Sequence, residues 1–495
     1  MSEQGHESSF VPVQVFVRVR PLIDEENGHA LLEYKLIKDG VCVESTATPS
    51  TSIQLTMPSK NRVLNPTFQT RAPPPKLRRP WRDEHKLFHG FTRVLEPDTT
   101  NEEVYLTTMK PLMRSVSTEG HSACVFTYGH TGSGKTHTLL GYKGKSLGIY
   151  EYAAREIFSH LAEFNNGVVV ESKKRVLLVR ITELYKDTVK DCLTGDDTCS
   201  IRQGNEGVVH VRGPMIADDE GRIDQRPLGQ LCKSTQDILD CVDKAVECRR
   251  VGVSTHHDKS SRSHLVMEFE VVTAELVELR NRCLKEVTQL HRLKWLQIER
   301  MFDKGHELPK WTGVYNDRML HEDISKWERV TKDGQESLSA LEADVGGATL
   351  VVCDLAGNEY ASDSGGSTKQ ERDESAEINK SLLAVKEMIR AMNNPINATT
   401  HVPYRNSKLS MLLKRHLEGR NSRAVMIAHI SSSQENFKKT INTLTYTSMM
   451  GCSSAKIKQT NKETRKNKKV AENCGNGQNI TGIQNDTKEN TADMS

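Results

Sequence analysis

One eight-residue stretch constrains the fold of this chain more than any other. It runs Gly129-His130-Thr131-Gly132-Ser133-Gly134-Lys135-Thr136, which is the pattern of a phosphate-binding loop. The apolar run 123–128 before it predicts a buried strand, and the residues after it can continue as a helix. In that setting backbone N–H groups surround phosphates, Lys135 reaches the β- and γ-phosphates, and the Thr136 hydroxyl holds Mg²⁺. A glycine-rich surface turn is the alternative interpretation, and the flanking strand and helix argue against it.

Length and composition agree with a large nucleotide-binding protein. At 495 residues the chain exceeds a usual single domain, so we expect one enlarged core or a core with insertions. The net charge of +3 is close to balance, so a basic binding face has to come from local clusters. Residues 1–6 carry no signal peptide and no long apolar run follows, which predicts an intracellular, cytoplasmic protein without a membrane span. The 11 cysteines include no CxxC pair and are expected to be reduced, packed thiols.

The order of patterns along the chain predicts an α/β fold. A strand with alternating valines begins at Val13, apolar β-branched residues form another at 176–181, and 234–251 is an amphipathic helix. We therefore expect a central sheet, mixed and mostly parallel, with helices on both faces. The chain is divided into a disordered leader (1–12), a single domain (13–452) and a disordered basic and polar tail (453–495). Within the domain, 47–84 reads as a long Pro-rich basic loop and 273–347 as a helical insertion.

Two further turns complete a γ-phosphate sensor. The first is the serine turn at 260–264, and the second follows a buried strand that ends in Asp354 and reaches Gly357 three residues later. An acidic residue at such a strand end can hold the Mg²⁺ shell, and the Gly357 N–H is free to meet a γ-phosphate. Order in both turns would therefore depend on the terminal phosphate and its metal.

These residues resemble the motor-domain signatures of kinesins, in kinesin order. The matching segments are FTYGHTGSGKTHT (126–138), SSRSH (260–264), DLAGNE (354–359), INKSLL (378–383) and HVPYRNSKL (401–409). The resemblance runs from about Val13 to about Met450 with one insertion. It implies a kinesin-motor type of phosphate-loop NTPase fold, ATP and Mg²⁺ as ligands, and microtubules as partner, with no direct nucleic-acid contact.

The resemblance also implies a role for each site residue. Arg18, Pro21 and His137 would flank the adenine, and residues 129–136 would surround the phosphates. Thr136, Ser261 and Asp354 would lie at the Mg²⁺ shell. Ser260 and Ser261 would orient the attacking water, Arg262 and Glu359 would pair to close the site, and Gly357 would read the γ-phosphate. An ordinary exposed ion bridge is the alternative for the Arg262–Glu359 pair.

Two histidines depart from the usual kinesin pattern. His257 stands where kinesins usually have Asn, and His130 replaces the usual Gln inside the phosphate loop. Neither position supplies a phosphate charge contact, so ATP binding should survive, and the hydrolysis rate is the property in question. A titrating His257 would make hydrolysis pH-dependent, whereas an inert loop histidine would not.

Within the kinesins, the chain most resembles the kinesin-13 group, whose members remove tubulin from filament ends. The resemblance rests on Asn358, on Ala361-Ser362-Asp363 and on the run 386–391. Against it, the Lys-Val-Asp tip of kinesin-13 motors is absent between 47 and 84. A translocating motor and a non-motor microtubule-binding scaffold with weak or lost hydrolysis are the alternatives.

Basic residues near the end of the domain are candidates for the filament contact. Tubulin is acidic, so clustered positive charge would steer binding. The candidate tubulin-binding residues are Lys386, Arg390, Arg405, Lys408, Lys414 and Arg415. A merely solvated charged face is the alternative. The apolar residues Ile378, Leu382, Val385, Ile389 and Met392 recur at helical spacing and are expected to face the core.

The insertion and the tail complete the organisation. The stripe that starts at Leu276 and ends at Met301 predicts a long amphipathic helix, and a weaker one is expected over 317–330. We expect the insertion to pack on the motor, with binding of a partner helix as the alternative. No heptad stalk follows Met450, so a two-headed walker is not expected from this chain unaided and the oligomeric state stays open. The basic tail could touch the filament or act as a nuclear-type signal, which leaves a spindle or nuclear pool open beside the cytoskeleton.

Overall fold

The computed structural model describes most of the predicted domain. The described residues are 13–23, 26, 31, 33–38, 41–42, 51–56, 85–195, 197–203, 209–250, 261–302, 310–345, 348–358, 369–392, 402–417 and 422–451. The predicted leader (1–12) and tail (453–495) lie outside them. Of the predicted loop at 47–84, residues 51–56 are described, and residues 52–56 form a strand instead. The alternation of Ile53 and Leu55 buries both side chains, which stabilises that strand.

The strands account for much of the described chain. In chain order they are β1 (Gln14–Arg20), β2 (Tyr34–Lys38), β3 (Val41–Cys42), β4 (Ser52–Thr56), β5 (His85–His89), β6 (Arg93–Leu95), β7 (Ser122–Gly129), β8 (Gly141–Tyr142), β9 (Ser146–Leu147), β10 (Arg175–Tyr185), β11 (Thr188–Asp191), β12 (Asp197–Gln203), β13 (Val209–Arg212), β14 (Met215–Ala217), β15 (Ile223–Gln225), β16 (Gln230–Cys232), β17 (His264–Thr273), β18 (Thr349–Asp354) and β19 (Ser422–Ser431).

The helices alternate with these strands. In chain order they are α1 (Asn101–Thr108), α2 (Lys110–Ser117), α3 (Lys135–Leu140), α4 (Ile149–Asn165), α5 (Thr235–Arg250), α6 (Ala274–Phe302), α7 (Asp317–Val345), α8 (Lys369–Met392), α9 (Lys408–Leu417) and α10 (Phe437–Gly451). None of the described helices is long and apolar enough to cross a lipid bilayer.

Eleven of the described strands form one central sheet. Its order is β13-β12-β11-β10-β17-β18-β7-β19-β1-β6, with β16 paired to β10. The pairs β18–β7, β7–β19, β19–β1 and β1–β6 are parallel, and the pairs from β13 to β18 are antiparallel. The predicted α/β fold with a mixed sheet is confirmed. Its parallel half brings the carboxyl ends of β7, β18, β19 and β1 to one edge, where ligands bind in such folds.

Both faces of the sheet are covered, because β7 in its centre sends apolar side chains both ways. Cys124, Phe126 and Tyr128 pack with α8, α9 and α10, and Ala123 and Val125 pack with α1, α2, α4 and α5. The stripe predicted for α8, Ile378 to Met392, lies in the first of these clusters and is confirmed as core. Helices on both sides therefore hold the carboxyl edge of the sheet rigid.

The insertion is an antiparallel hairpin of α6 and α7. Three ion pairs join the two helices along their length: Arg280–Glu342 at 2.9 Å, Lys294–Glu328 at 2.7 Å and Arg300–Asp317 at 3.0 Å. The prediction that the second helix ends at 330 is wrong, because α7 continues to Val345. Gly334 weakens its local helical pattern. A Cβ there would lie 2.6 Å from a Glu286 oxygen, so the glycine permits close packing on α6 instead.

The base of the hairpin is fixed to the sheet. Leu276 and Val345 pack against Leu178 and Val272, so the expected packing on the motor is confirmed. A chain of buried or half-buried charges joins the same region to α9. His416 Nε2 lies 2.9 Å from Glu268, Arg180 bonds Glu268 and Glu270 at 3.4 and 2.5 Å, and Arg280 Nη1 lies 2.9 Å from Glu270. The hairpin is therefore anchored beside α9 on one sheet face.

Leu293 tests the stability of the distal half of the hairpin. Its side chain is fully buried in a cluster with Leu290, Leu296 and Trp311. We expect Leu293→Ala to lower the free energy of opening of residues 274–345 by about 2–4 kcal/mol, because the change leaves a cavity. Hydrogen exchange of the hairpin measures this. Ile298→Ala is the control, since Ile298 is 48% exposed and should change little; equal effects of the two variants would contradict the packing described.

Candidate functional site

The phosphate loop lies where the sequence predicts it. Strand β7 leads into it, and α3 begins at Lys135 directly after Gly134. Gly134 adopts φ of 97°, a left-handed conformation that favours glycine and turns the chain into the helix. The predicted strand, loop and helix are confirmed, and the loop and helix N–H groups lie at the carboxyl edge of the parallel half of the sheet.

The Lys135 side chain folds back over its own loop. It is 7% exposed, and Nζ donates to the carbonyl oxygens of Gly129 at 3.1 Å and His130 at 3.0 Å. These contacts hold a buried positive charge at the loop, which is the charge a phosphate group requires.

Asp354 is the buried carboxylate of the site. Its oxygens accept hydrogen bonds from Thr136 Oγ1 at 2.8 Å and Thr127 Oγ1 at 3.4 Å, so the structure brings the predicted metal residues Thr136 and Asp354 together. A hydroxyl and a carboxylate are hard oxygen ligands, which fits Mg²⁺. Asp354 is 1% exposed, and a carboxylate this deeply buried requires a charged partner.

That partner is Arg249, which the sequence analysis missed. Its Nη1 lies 3.0 Å from Asp354 Oδ2, and it also donates to the Ser263 hydroxyl at 2.9 Å and the Ser263 carbonyl at 2.6 Å. Arg249 thereby joins the end of α5, the serine turn and Asp354. Its helical position was the available signal, since Arg249 continues the apolar face of Val242, Ala245 and Val246, where a charge requires a buried counterion.

The three turns meet at Gly357. Its N–H donates to the Ser261 carbonyl at 3.1 Å, and a Cβ at Gly357 would lie 2.1 Å from Thr131 Oγ1. The N–H predicted to read a γ-phosphate thus bonds the serine turn here, in contact with the phosphate loop. Ser260 and Glu359, predicted for catalysis, and His257 lie outside the described residues.

Asn358 connects this contact to β7. Its N–H donates to the Gly129 carbonyl at 3.2 Å, and its Nδ2 donates to Tyr128 Oη at 2.5 Å. His130 pairs with it through a backbone bridge and is 2% exposed. Burial, together with the charges of Lys135, Lys439 and Arg20, lowers the pKa of His130 to about 3, so this histidine is neutral at physiological pH.

Arg262 reaches a carboxylate on α8. Its Nη1 lies 3.1 Å from Glu374, which is also bonded by Lys186 Nζ at 3.2 Å and Tyr185 Oη at 2.8 Å. Its expected partner Glu359 lies outside the described residues, so the Arg262–Glu359 pair stays a prediction. Arg262 and Glu374 are both buried, so loss of Arg262 would remove one of the charged partners of a buried carboxylate.

Of the residues predicted to flank the adenine, Arg18 lies in β1, Pro21 follows that strand, and His137 lies in α3. Arg18 is buried, and its guanidinium donates to Asn101 Oδ1 and Thr138 Oγ1 at 2.6 Å and to the Thr99 carbonyl at 2.8 Å. Burial lowers the pKa of Arg18 to about 10. His137 lies 4.9 Å from the Tyr142 ring, and Pro21 is exposed. Arg18 is therefore held by protein groups.

The neighbouring Arg20 was missed by the sequence analysis. It lies against the phosphate loop, since its Cδ would be 3.6 Å from a Cβ at Gly134, and it pairs with Glu26 at 2.7 Å. The spacing Arg-x-Arg-Pro at 18–21 was the available signal. Arg20 adds a second positive charge beside the loop.

The two predicted tubulin contacts on α8 both contact side chains of α10. Lys386 Nζ lies 3.6 Å from the ring centroid of Tyr446 and 5.2 Å from that of Tyr128, and burial lowers the pKa of this lysine to about 8. Lys386 is half-buried, because aromatic faces attract its ammonium into the fold, and its contact with tubulin stays a prediction. Arg390 is exposed but donates from Nη2 to Met449 Sδ at 3.2 Å.

The other basic candidates share one surface near α9. Arg405 donates to Gln203 Oε1 at 2.8 and 2.9 Å, and Lys408 bonds Asp187, so both lie against the β10–β11 and β12–β13 turns. Lys414 Nζ lies 5.2 Å from the Tyr404 ring. The side chain of Arg415 lies outside the described residues. We call Arg405, Lys408 and Lys414 the basic surface.

Gly357→Ala tests the contact of the three turns. The added Cβ would meet Thr131 Oγ1 at 2.1 Å and Thr131 N at 2.6 Å, so the contact has to open. We expect ATP hydrolysis to fall at least about tenfold, since positioning supplies most of the barrier reduction in phosphoryl transfer. Gly313→Ala is the control, because a Cβ there has no atom within 4 Å. Normal turnover of Gly357→Ala would remove this contact from the mechanism.

Known proteins that resemble this chain are kinesins. Kinesin-like protein KIF27 from Mus musculus is 26% identical over 444 residues, which cover 88% of this chain and 24% of the relative. Kinesin-like protein KIN-14A from Oryza sativa subsp. japonica is 25% identical over 470 residues, covering 94% of this chain and 36% of the relative. The chain thus spans about a quarter to a third of the length of these relatives.

Solved kinesin structures share the fold. The motor domain of the Kar3-like kinesin from Ashbya gossypii aligns with a TM-score of 0.54 at 20% identity, covering 89% of this chain and 100% of that chain. A KIF14 dimer with AMP-PNP in complex with a microtubule aligns with a TM-score of 0.57 at 21% identity, covering 89% of this chain and 94% of that chain.

The family model of the kinesin motor domain matches residues 18–291 and 328–451. The gap between the two matched segments falls inside the α6–α7 hairpin, so the insertion interrupts the family pattern without displacing the strands on either side. The two segments together cover most of the chain and include all three turns of the site. The chain therefore belongs to the kinesin motor-domain family.

Proposed function

We propose that this chain is a microtubule-stimulated ATPase that couples ATP binding and hydrolysis to changes in its binding to tubulin. The observation that carries the proposal is the meeting of three turns at Gly357, where the phosphate loop, the serine turn and the strand end of Asp354 touch. A terminal phosphate entering there would take the Gly357 N–H from the Ser261 carbonyl. The presence or absence of that phosphate would then decide how the turns are joined.

Each residue has a defined part in this reaction. Residues 129–136 hold the phosphates, and Lys135 exchanges its loop carbonyl contacts for phosphate oxygens. Thr136, Ser261 and Asp354 would hold Mg²⁺, which neutralises charge on the phosphates when bound. Ser260 and Ser261 orient the attacking water, and His130 stays neutral beside Asn358. Arg249 keeps Asp354 in place by its buried ion pair.

The site is linked mechanically to the proposed filament-binding elements. Arg262 of the serine turn bonds Glu374 near the start of α8, so a change in that turn moves the helix that packs on α9. The basic surface of Arg405, Lys408 and Lys414 lies at this end of α9 and suits an acidic filament. The KIF14 structure, which is bound to a microtubule, supports the same choice of partner. A cytoskeletal location follows from that partner.

Within this activity we propose microtubule depolymerisation. Asn358 and the run Lys386 to Ala391 support it, because both resemble the kinesin-13 group. The relatives described above carry other kinesin names, KIF27 and KIN-14A, so translocation along the filament is the competing function. A non-motor scaffold is the third, motivated by His130 and His257.

Purified protein on stabilised, surface-bound microtubules with ATP tests these functions together. Shortening from the filament ends supports depolymerisation. Gliding of microtubules over surface-bound protein supports translocation and overturns depolymerisation. Binding that is unaffected by nucleotide, with no stimulated phosphate release, overturns the motor ATPase and supports the scaffold.

A further inference from the structure

Two basic side chains of α8 contact side chains of α10. Lys386 Nζ lies 3.6 Å from the ring centroid of Tyr446, and Arg390 Nη2 lies 3.2 Å from Met449 Sδ. The two α8 residues are one helical turn apart, and so are their partners on α10. The contact between α8 and α10 therefore includes two adjacent side-chain pairs, Lys386–Tyr446 and Arg390–Met449. Lys386 is the more buried of the two basic residues.

Tyr128 connects the Lys386–Tyr446 pair to the nucleotide site. It is 2% exposed, its ring lies 5.2 Å from Lys386 Nζ, and its hydroxyl accepts a hydrogen bond from Asn358 Nδ2 at 2.5 Å. Tyr128 is also the residue before Gly129, whose carbonyl accepts the Asn358 N–H. A continuous series of contacts thus runs from Asn358 through Tyr128 and Lys386 to Tyr446.

The Asn358 end of this series is not fully satisfied. Among the described residues, Asn358 Oδ1 and His130 Nδ1 are buried side-chain atoms without a hydrogen-bond partner. Such atoms are costly, so a rearrangement that gave them hydrogen-bond partners would be favourable. Asn358 follows Gly357 directly, so a phosphate that took the Gly357 N–H would change the backbone contacts next to the residue that bonds the Tyr128 hydroxyl.

We propose that Tyr128 and Lys386 are positioning residues that transmit the state of the nucleotide site to α10. The proposal rests on the proposed ATPase function, and it assigns Lys386 to an internal joint and not to the filament surface. With Asn358 bonded to Tyr128, the tyrosine ring and Tyr446 hold the ammonium between α8 and α10. When Asn358 no longer bonds Tyr128, the tyrosine ring can shift, and the contact between Lys386 and Tyr446 of α10 weakens.

Steady-state kinetics separate the internal role from a surface role. Lys386→Met keeps the length of the side chain and removes its charge, and Lys369→Met is the matched control on an exposed position of α8. We expect Lys386→Met to lower the tubulin-stimulated kcat at least about fivefold with the KM for tubulin unchanged, and Lys386→Arg to restore most of it. A raised KM for tubulin with unchanged kcat would show a filament contact and overturn the proposal.

Tyr128→Phe is the second variant, since it removes the hydroxyl and keeps the ring. Because both residues act in one series, Tyr128→Phe should lower kcat as Lys386→Met does, and the double variant should be no worse than the worse single one. Losses that multiply in the double variant would show two independent effects and contradict the series.

Hydrogen exchange decides the question without tubulin. We expect residues 437–451 of wild type to differ in protection between ADP and a non-hydrolysable ATP analogue, and this difference to vanish in Lys386→Met and Tyr128→Phe. Protection of α10 that is independent of nucleotide in wild type, or a difference retained in both variants, would overturn the proposal. A wild-type protein without tubulin stimulation would instead refute the proposed function, while the exchange result on α10 stands by itself.

Discussion

Lys135→Ala is expected to weaken ATP binding roughly 10- to 100-fold, the loss of one or two charge-assisted hydrogen bonds. Lys135 supplies the buried ammonium of the phosphate loop, and an alanine side chain has no charge and is too short to contact a phosphate. The rate of hydrolysis should fall by a larger factor than the affinity for ATP. The reason is that a positive side chain stabilises the charge on the phosphates more strongly in the transition state than in the bound ground state. Titration with a fluorescent ATP analogue and phosphate release measure the two effects.

The control for this variant is Lys143→Ala, eight residues further along the chain. Lys143 has an 87% exposed side chain that pairs with Asp243 at 2.7 Å on the surface. Its loss should leave both affinity and turnover close to wild type. Nucleotide affinity and turnover of Lys135→Ala that match those of Lys143→Ala would refute a nucleotide site at this loop.

Arg249→Met should destabilise the protein by about 3–5 kcal/mol, since it leaves the buried Asp354 carboxylate without its charged partner. The side chains of Arg249 and Asp354 are 3% and 1% exposed, so water cannot take the place of the lost guanidinium. The serine turn also loses two donors, to the Ser263 hydroxyl and carbonyl. Chemical denaturation measures the free energy of unfolding, and Arg155→Met, in an ion pair whose arginine is 57% exposed, is the control.

A double variant distinguishes the stability of the pair from its part in the reaction. Arg249→Met with Asp354→Asn removes both charges, so most of the lost stability should return. ATP hydrolysis should not return, because the amide introduced by Asp354→Asn is a weaker ligand for Mg²⁺ than a carboxylate. Full recovery of hydrolysis would show that the Asp354 charge is dispensable and would contradict the assigned metal site. Unchanged stability of Arg249→Met alone would contradict the buried pair.

Some of the site was readable from the sequence because it is made of local patterns. The phosphate loop follows from glycine spacing between an apolar strand and a helix start, and backbone conformation there depends on neighbouring residues alone. The core stripe of α8 follows from helical periodicity in the same way. The long helix at 274–302 was predicted on that basis, and the structure has it.

The partners of charged residues were decided only by the tertiary structure. Arg249 and Asp354 are 105 residues apart in the chain, and Arg262 and Glu374 are 112 apart, so no local pattern pairs them. The aromatic contacts of Lys386 were not predicted for the same reason, since the two rings lie on β7 and α10. The end of α7 also depended on contact with α6 at Gly334.

By itself, the sequence determined the phosphate loop, the alternation of strands and helices, and the family. Each of these depends on patterns among residues that are close together along the chain. Which charges face one another, which face solvent, and how the hairpin is anchored were decided by tertiary packing. The physical reason is that burial makes an ion pair strong or costly, and burial is a property of the whole fold.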